Sequence, residues 1–186
     1  MARLPLANRE SVPENQRAAF DELVRSLGSV PRYGPGSVMI HAPDAHQRVT
    51  ALNRHLRRES SALPKKLQEL AMLVTAREQD CQYIWNAHAA SARAAGIGNA
   101  TVEALRDRKE LPQLADDESA VVRFAQEYFR TRRVSRGAFQ AVLERFGTQG
   151  AVELGLIFGN YSMLALLVNS FDVDLPPDRK EPLLPV

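Results

Sequence analysis

A chain of 186 residues with 24 basic against 22 acidic side chains carries a formal charge of only +2. That field, with aromatic residues few and scattered, excludes nucleic acid as the main partner. The length suits one domain whose core needs no disulfide or metal, and the one cysteine, Cys81, cannot form an internal disulfide. The opening MARLPLANRE lacks the apolar stretch of a signal peptide, so a reducing cytoplasm and a free thiol are expected.

Helical periodicity runs nearly from end to end, which predicts an all-α fold. Pro13 suits the first turn of a helix whose Phe20, Leu23, Val24 and Leu27 recur at three and four, with Gly28 as its stop. The proline- and glycine-rich GSVPRYGPGSVMIHAP, residues 28–43, predicts a surface loop. Asp44 is the expected cap of the next helix, which has Val49, Leu52 and Leu56 on one side. Arg54, His55, Arg57 and Arg58 crowd its other side as a basic rim. Pro64 opens a helix bearing Leu67, Leu70, Ala71 and Val74 that ends before Cys81, and Asp80 is the expected cap of the helix after it.

In the second half, Asp116 or Asp117 precedes Val121, Phe124, Ala125 and Tyr128. Ser135 precedes Phe139, Val142, Leu143 and Phe146, with Gly147 as terminator. From Thr148 to about Ser170 the chain is apolar almost all round, so this helix is expected to be central or to lie at a subunit interface. Glu153, Asn160, Asn169 and Asp172 break the apolar stretch AVELGLIFGNYSMLALLVNSFDV, residues 151–173, which argues against a bilayer span. Asn160 and Tyr161 need partners for their polar tips, across an interface in the favoured reading, at the floor of a pocket in the weaker one. Four prolines in the last eleven residues predict an extended tail that wraps a neighbour or stays mobile.

The chemistry centres on DCQYIWNAHAASARAAG, residues 80–96. With Asp80 as cap, Cys81 falls in the first turn, where free N–H groups and the positive end of the helix dipole favour a thiolate; the Asp80 carboxylate opposes it. His88 is seven residues on, so the two side chains share a face but stand roughly 10 Å apart along the axis. A relay between them needs a water, a substrate or a side chain from a neighbouring helix, and Glu69 is the nearest acidic candidate. Each residue also has a plain structural reading: a lone cysteine is most often a small buried hydrophobe, and Tyr83 and Trp85 suit a core. His41, His46 and His55 have no spacing that pairs them, so no metal site is expected.

The segment LPKKLQELAMLVTAREQDCQYIWNAHAASARAAGIGNATVEALR, residues 63–106, resembles the carboxymuconolactone decarboxylase family, which includes the alkylhydroperoxidase-D-like proteins. The resemblance continues more weakly from about Val38 to Pro177. It implies an alkylhydroperoxidase-D-like helical bundle in a single domain over residues 38–177. An N-terminal helix and loop precede it over 1–37, and a proline-rich tail follows over 178–186. It further implies a homo-oligomer, trimer or hexamer; together with the charge and the broken apolar stretch, the expectation is a small-molecule substrate with no cofactor, membrane or nucleic acid.

In the peroxidase branch a glutamate is followed after twelve residues by a cysteine, three later by a second cysteine and four later by a histidine. Glu69, Cys81 and His88 match those offsets, whereas Ile84 stands at the second cysteine. The disulfide cycle is therefore impossible within one subunit, and Cys81 matches the resolving member.

Three functions follow as expectations. The first is a small-molecule enzyme, of decarboxylation, lactone or isomerisation type, with His88, Glu69 and Cys81 catalytic and Tyr83, Ile84 and Trp85 at the substrate. Arg57, Arg58 or Arg77 would hold a substrate carboxylate. The second is a one-cysteine thiol peroxidase, and the third an inactive binding descendant.

Overall fold

The computed structural model describes residues 2–186. Among them helices account for 66% and strands are absent. The eight helices are α1 (Arg17–Leu27), α2 (Gly34–Met39), α3 (Pro43–Leu56), α4 (Lys65–Glu78), α5 (Gln82–Ala94), α6 (Asn99–Arg106), α7 (Asp116–Thr131) and α8 (Arg136–Ser170). Two short 3-10 turns, at Arg9–Ser11 and Glu14–Gln16, lead into α1.

The core is built around α4, which packs against α5, α7 and α8. Every residue from Leu67 to Arg77 is buried, so this helix has no solvent stripe and its polar residues Gln68, Glu69, Thr75 and Arg77 need partners inside the protein. Leu154, Ile157 and Leu164 on α8 and Val121 and Ala125 on α7 close over it. A second, smaller cluster of Val12, Phe20, Leu23 and Ile40 secures the N-terminal segment, and α1 packs on α3.

Several helix boundaries follow the expected signals. Gly28 takes a left-handed φ of 78° after α1. The Ser135 hydroxyl accepts from the Ala138 N–H at the start of α8. Gly147 (φ 65°, ψ −177°) breaks α8 into segments 136–146 and 148–170. α8 is long and apolar enough by length and composition to cross a bilayer, and 56% of its most apolar window is buried against the rest of the chain.

Other expectations are corrected. The stretch 28–43 is not a continuous loop: α2 forms within it because Pro35 suits the first turn of a helix, and Val38 and Ile40 have a core to enter. Asp44 is not the cap of α3; Pro43 occupies the first turn and Ala42 precedes it, with Asp44 inside the turn. Nor does Asp80 cap α5. It adopts a left-handed φ of 48° to reverse the chain after α4, which moves the cap position to Cys81.

The tail is extended but folds back on its own chain. Gln82 brackets Leu184, accepting from its N–H at 2.8 Å and donating to its carbonyl at 2.9 Å, and Arg77 donates to the Pro185 carbonyl at 3.0 Å.

Candidate functional site

Glu69 lies in the second turn of α4 and is fully buried. Its Oε2 is 2.8 Å from Nδ1 of His88, carried by the neighbouring α5. Its Oε1 faces Lys65 Nζ at 2.6 Å, one turn back along α4, and the Arg57 guanidinium at 3.6 Å from the end of α3. Burial pushes the Glu69 carboxyl up. Hydrogen bonds from His88 and Lys65 and the positive charge of both outweigh that and hold it at about 2. A carboxylate stays ionised in the core because cations close its approaches.

His88 is itself buried. With Nδ1 held by the carboxylate, the ring is fixed in orientation, and Nε2 has no hydrogen-bond partner among the described residues. A neutral ring that donates Nδ1–H to Glu69 presents an Nε2 lone pair. Tyr161, from the 148–170 segment of α8, meets the imidazole edge-on, with ring centroids 5.2 Å apart and planes at 79°. Burial and the Glu69 charge push its phenol up to about 12, against the opposing pull of Arg57, so it stays a donor. Beside this group Arg57, Arg58, Glu59, Lys65 and Gln68 line a cleft of about 400 Å³.

Glu69, the side chain from a neighbouring helix considered for a Cys81–His88 relay, thus meets His88 directly. Cys81 does not join them. It is fully buried at the N-cap of α5 and makes no hydrogen bond to Glu69 or His88 among the described residues. Burial pushes its thiol up, and the Ile84 and Tyr83 N–H groups only partly offset this. The cap position explains the change from expectation: with Asp80 spent on reversing the chain, the sulfur sits at the helix mouth against the core.

Ile84 and Trp85 are core residues, and Tyr83 packs on Gly34, where an added Cβ would run into the ring. None of the three lines the cleft beside Glu69; Tyr83 borders a separate one with Gln82, Asn169 and Arg179. Of the candidate arginines, Arg58 is held by Glu153 at 2.7 Å, and Arg77 is held by Asp80 and the tail. Arg57 makes only the longer, 3.6 Å approach to Glu69 and no side-chain hydrogen bond among the described residues. Tyr161 enters the site although sequence reasoning favoured an interface for it. The available signal was a polar pair, Asn160–Tyr161, inside an otherwise apolar helix.

Residues 43–127 match the family model described as the carboxymuconolactone decarboxylase family. No curated protein matches the sequence. Among solved structures, the chain resembles an alkylhydroperoxidase AhpD core, a peroxidase-related protein from Ralstonia eutropha JMP134. The TM-score is 0.72 at 19% identity, over 95% of this chain and 93% of that one. A peroxidase-related protein from Silicibacter sp. TM1040 gives a TM-score of 0.68 at 18% identity, over 96% and 93%. A cysteine-to-alanine variant of the debrominase Bmp8 in complex with 2,3,4-tribromopyrrole gives 0.68 at 15%, over 95% and 92%. These likenesses show an alkylhydroperoxidase-D-like helical fold over nearly the whole chain.

Proposed function

We propose that the chain, whose residues 43–127 match the carboxymuconolactone decarboxylase family model, is a member of that family and an enzyme performing acid–base chemistry on a small carboxylated substrate. The observation that carries this reading is the 2.8 Å contact between Glu69 Oε2 and His88 Nδ1, which leaves Nε2 unpartnered. In a decarboxylation the bond to the departing carboxylate breaks as carbon dioxide leaves. Its electron pair stays on the substrate carbon, which takes a proton from Nε2 of His88 in its doubly protonated form, leaving the ring neutral with Nδ1–H on Glu69. In an isomerisation the same nitrogen first removes a proton from carbon. Whether the doubly protonated ring is the starting proton donor or is formed by abstraction, its positive charge is offset by Glu69 at 2.8 Å, as a buried carboxylate does for a catalytic imidazole.

The working form we propose is a homo-oligomer, trimer or hexamer. Val152, Leu156 and Leu166 stand exposed on α8, 45–62% accessible, in keeping with that reading.

The peroxidase reading has its support in the peroxidase-related neighbours. Against it stand the complete burial of Cys81, a thiol pushed up, and the absence of a second sulfur at Ile84. Turnover of carboxymuconolactone and other small carboxylated lactones, followed by loss of ultraviolet absorbance, separates the two. His88→Ala is expected to lower the rate by about 10²–10⁴-fold, while Cys81→Ser keeps most of it. Full activity in His88→Ala contradicts the acid–base reading. Loss of all activity in Cys81→Ser, with peroxide reduction by the unaltered protein, establishes the thiol one. A ligand that raises the melting temperature while no substrate turns over marks a binding descendant.

A further inference from the structure

The cleft of about 400 Å³ at the start of α4 lies toward the lower end of the small-molecule range, roughly 300–1,000 Å³. Neither Glu69 nor His88 lines it, but two of its lining residues, Lys65 and Arg57, also reach Glu69 and so link the cleft to the dyad. Its cations are not equivalent. Arg58 is committed to Glu153 and to the His55 carbonyl, and Lys65 to Glu69. The Arg57 side chain makes no hydrogen bond among the described residues. Its 3.6 Å approach to Glu69 leaves a planar fork of donors for a carboxylate. Glu59 is exposed on the rim and limits how much negative charge a ligand can bring.

Gln68 adds the second requirement. The residue is 2% exposed, and its Nε2 donates to the Leu63 carbonyl at 2.8 Å, which fixes the amide's orientation. Its Oε1 is buried with no partner. Gln68 lines the cleft, and a buried carbonyl oxygen without a partner calls for a donor, which a plain carboxylate at neutral pH cannot give.

We propose that this cleft binds a small hydroxycarboxylate, its carboxylate on the Arg57 guanidinium and its hydroxyl donating to Gln68 Oε1. The inference rests on the acid–base reading only for the consequence that such a ligand is the substrate or product; the binding stands on the cleft itself.

The test is calorimetric titration with matched pairs that differ by one hydroxyl: glycolate and acetate, lactate and propionate, malate and succinate. At least one hydroxy acid is expected to saturate the protein with a Kd tenfold or more below that of its partner. Arg57→Gln, a change at a half-exposed residue, weakens both members tenfold or more. Gln68→Leu erases the preference while the simple acid still binds. If that buried variant does not fold, the paired comparison and Arg57→Gln decide alone. His88→Ala retains binding, so failure of the dyad chemistry and failure of this subsite read out separately. No saturable binding in any pair, equal binding within every pair because a water already serves Gln68, or unchanged binding in Arg57→Gln overturns the proposal.

Discussion

Two buried carboxylates, Glu69 and Glu153, decide how the protein answers to acid. Glu153 faces Arg58 at 2.7 Å and Gln149 at 2.9 Å, and it also accepts from the Ser61 hydroxyl and the Ala62 N–H. Burial pushes its carboxyl up, but these donors hold it at about 2, as His88 and Lys65 do for Glu69. Both folded-state values lie below the ordinary 4.5, so the ionised forms favour the folded chain. That stability is complete above about pH 4.5 and is lost as pH falls toward 2. Urea midpoints measured from pH 7 to pH 3 should fall steeply below pH 4.5, and Glu153→Gln should show a shallower fall from a lower starting point. Glu153→Ala, which strands Arg58 in a partly buried site, is expected to destabilise by about 3 kcal/mol at pH 7. A midpoint independent of pH over this range contradicts the assignment.

At the scale of elements, the site depends on where helices stop. The break at Gly147 lets the 148–170 segment turn onto α4 and bring Tyr161 to His88. Its φ of 65° with ψ of −177° is a conformation open to glycine and strained for other residues. Gly147→Ala should therefore destabilise by about 1–3 kcal/mol. Gly155 lies inside the helix with nothing near the place of a Cβ, and Gly155→Ala should stabilise by about 0.5–1 kcal/mol. Thermal melts of the two variants check the contrast, and like shifts in both contradict it. The stop at Gly147 and the cap at Ser135 were legible because a glycine and a hydroxyl act locally. The cap of α5 was not, because Asp80 left the cap for a left-handed turn in order to aim α5 back along α4. Likewise α2 was hidden by its glycines and prolines, and forms only because tertiary burial of Val38 and Ile40 overrides weak helix propensity.

For the whole molecule, helical periodicity and the 63–106 segment made the fold legible, and the resemblance named Glu69, Cys81 and His88 as candidates, of which the fold brings Glu69 and His88 into direct contact. What neither conveyed was which face of α8 turns inward, since a helix apolar all round has no periodicity to read. Tyr161 therefore joined the site only in three dimensions. The outward residues of that helix bear on assembly: Leu156→Asp together with Leu166→Asp should shift the proposed oligomer toward monomer in analytical ultracentrifugation, and an unchanged sedimentation coefficient contradicts that use of the face. The account as a whole turns on α4 and α5 holding a carboxylate against one nitrogen of a single imidazole. Nitrogen-15 NMR of histidine-labelled protein reads this directly. At a pH where the ring is neutral, His88 should show a protonated Nδ1 and a bare Nε2, and Glu69→Ala should remove that preference. A bare Nδ1 in the unaltered protein, or a tautomer indifferent to Glu69→Ala, contradicts it.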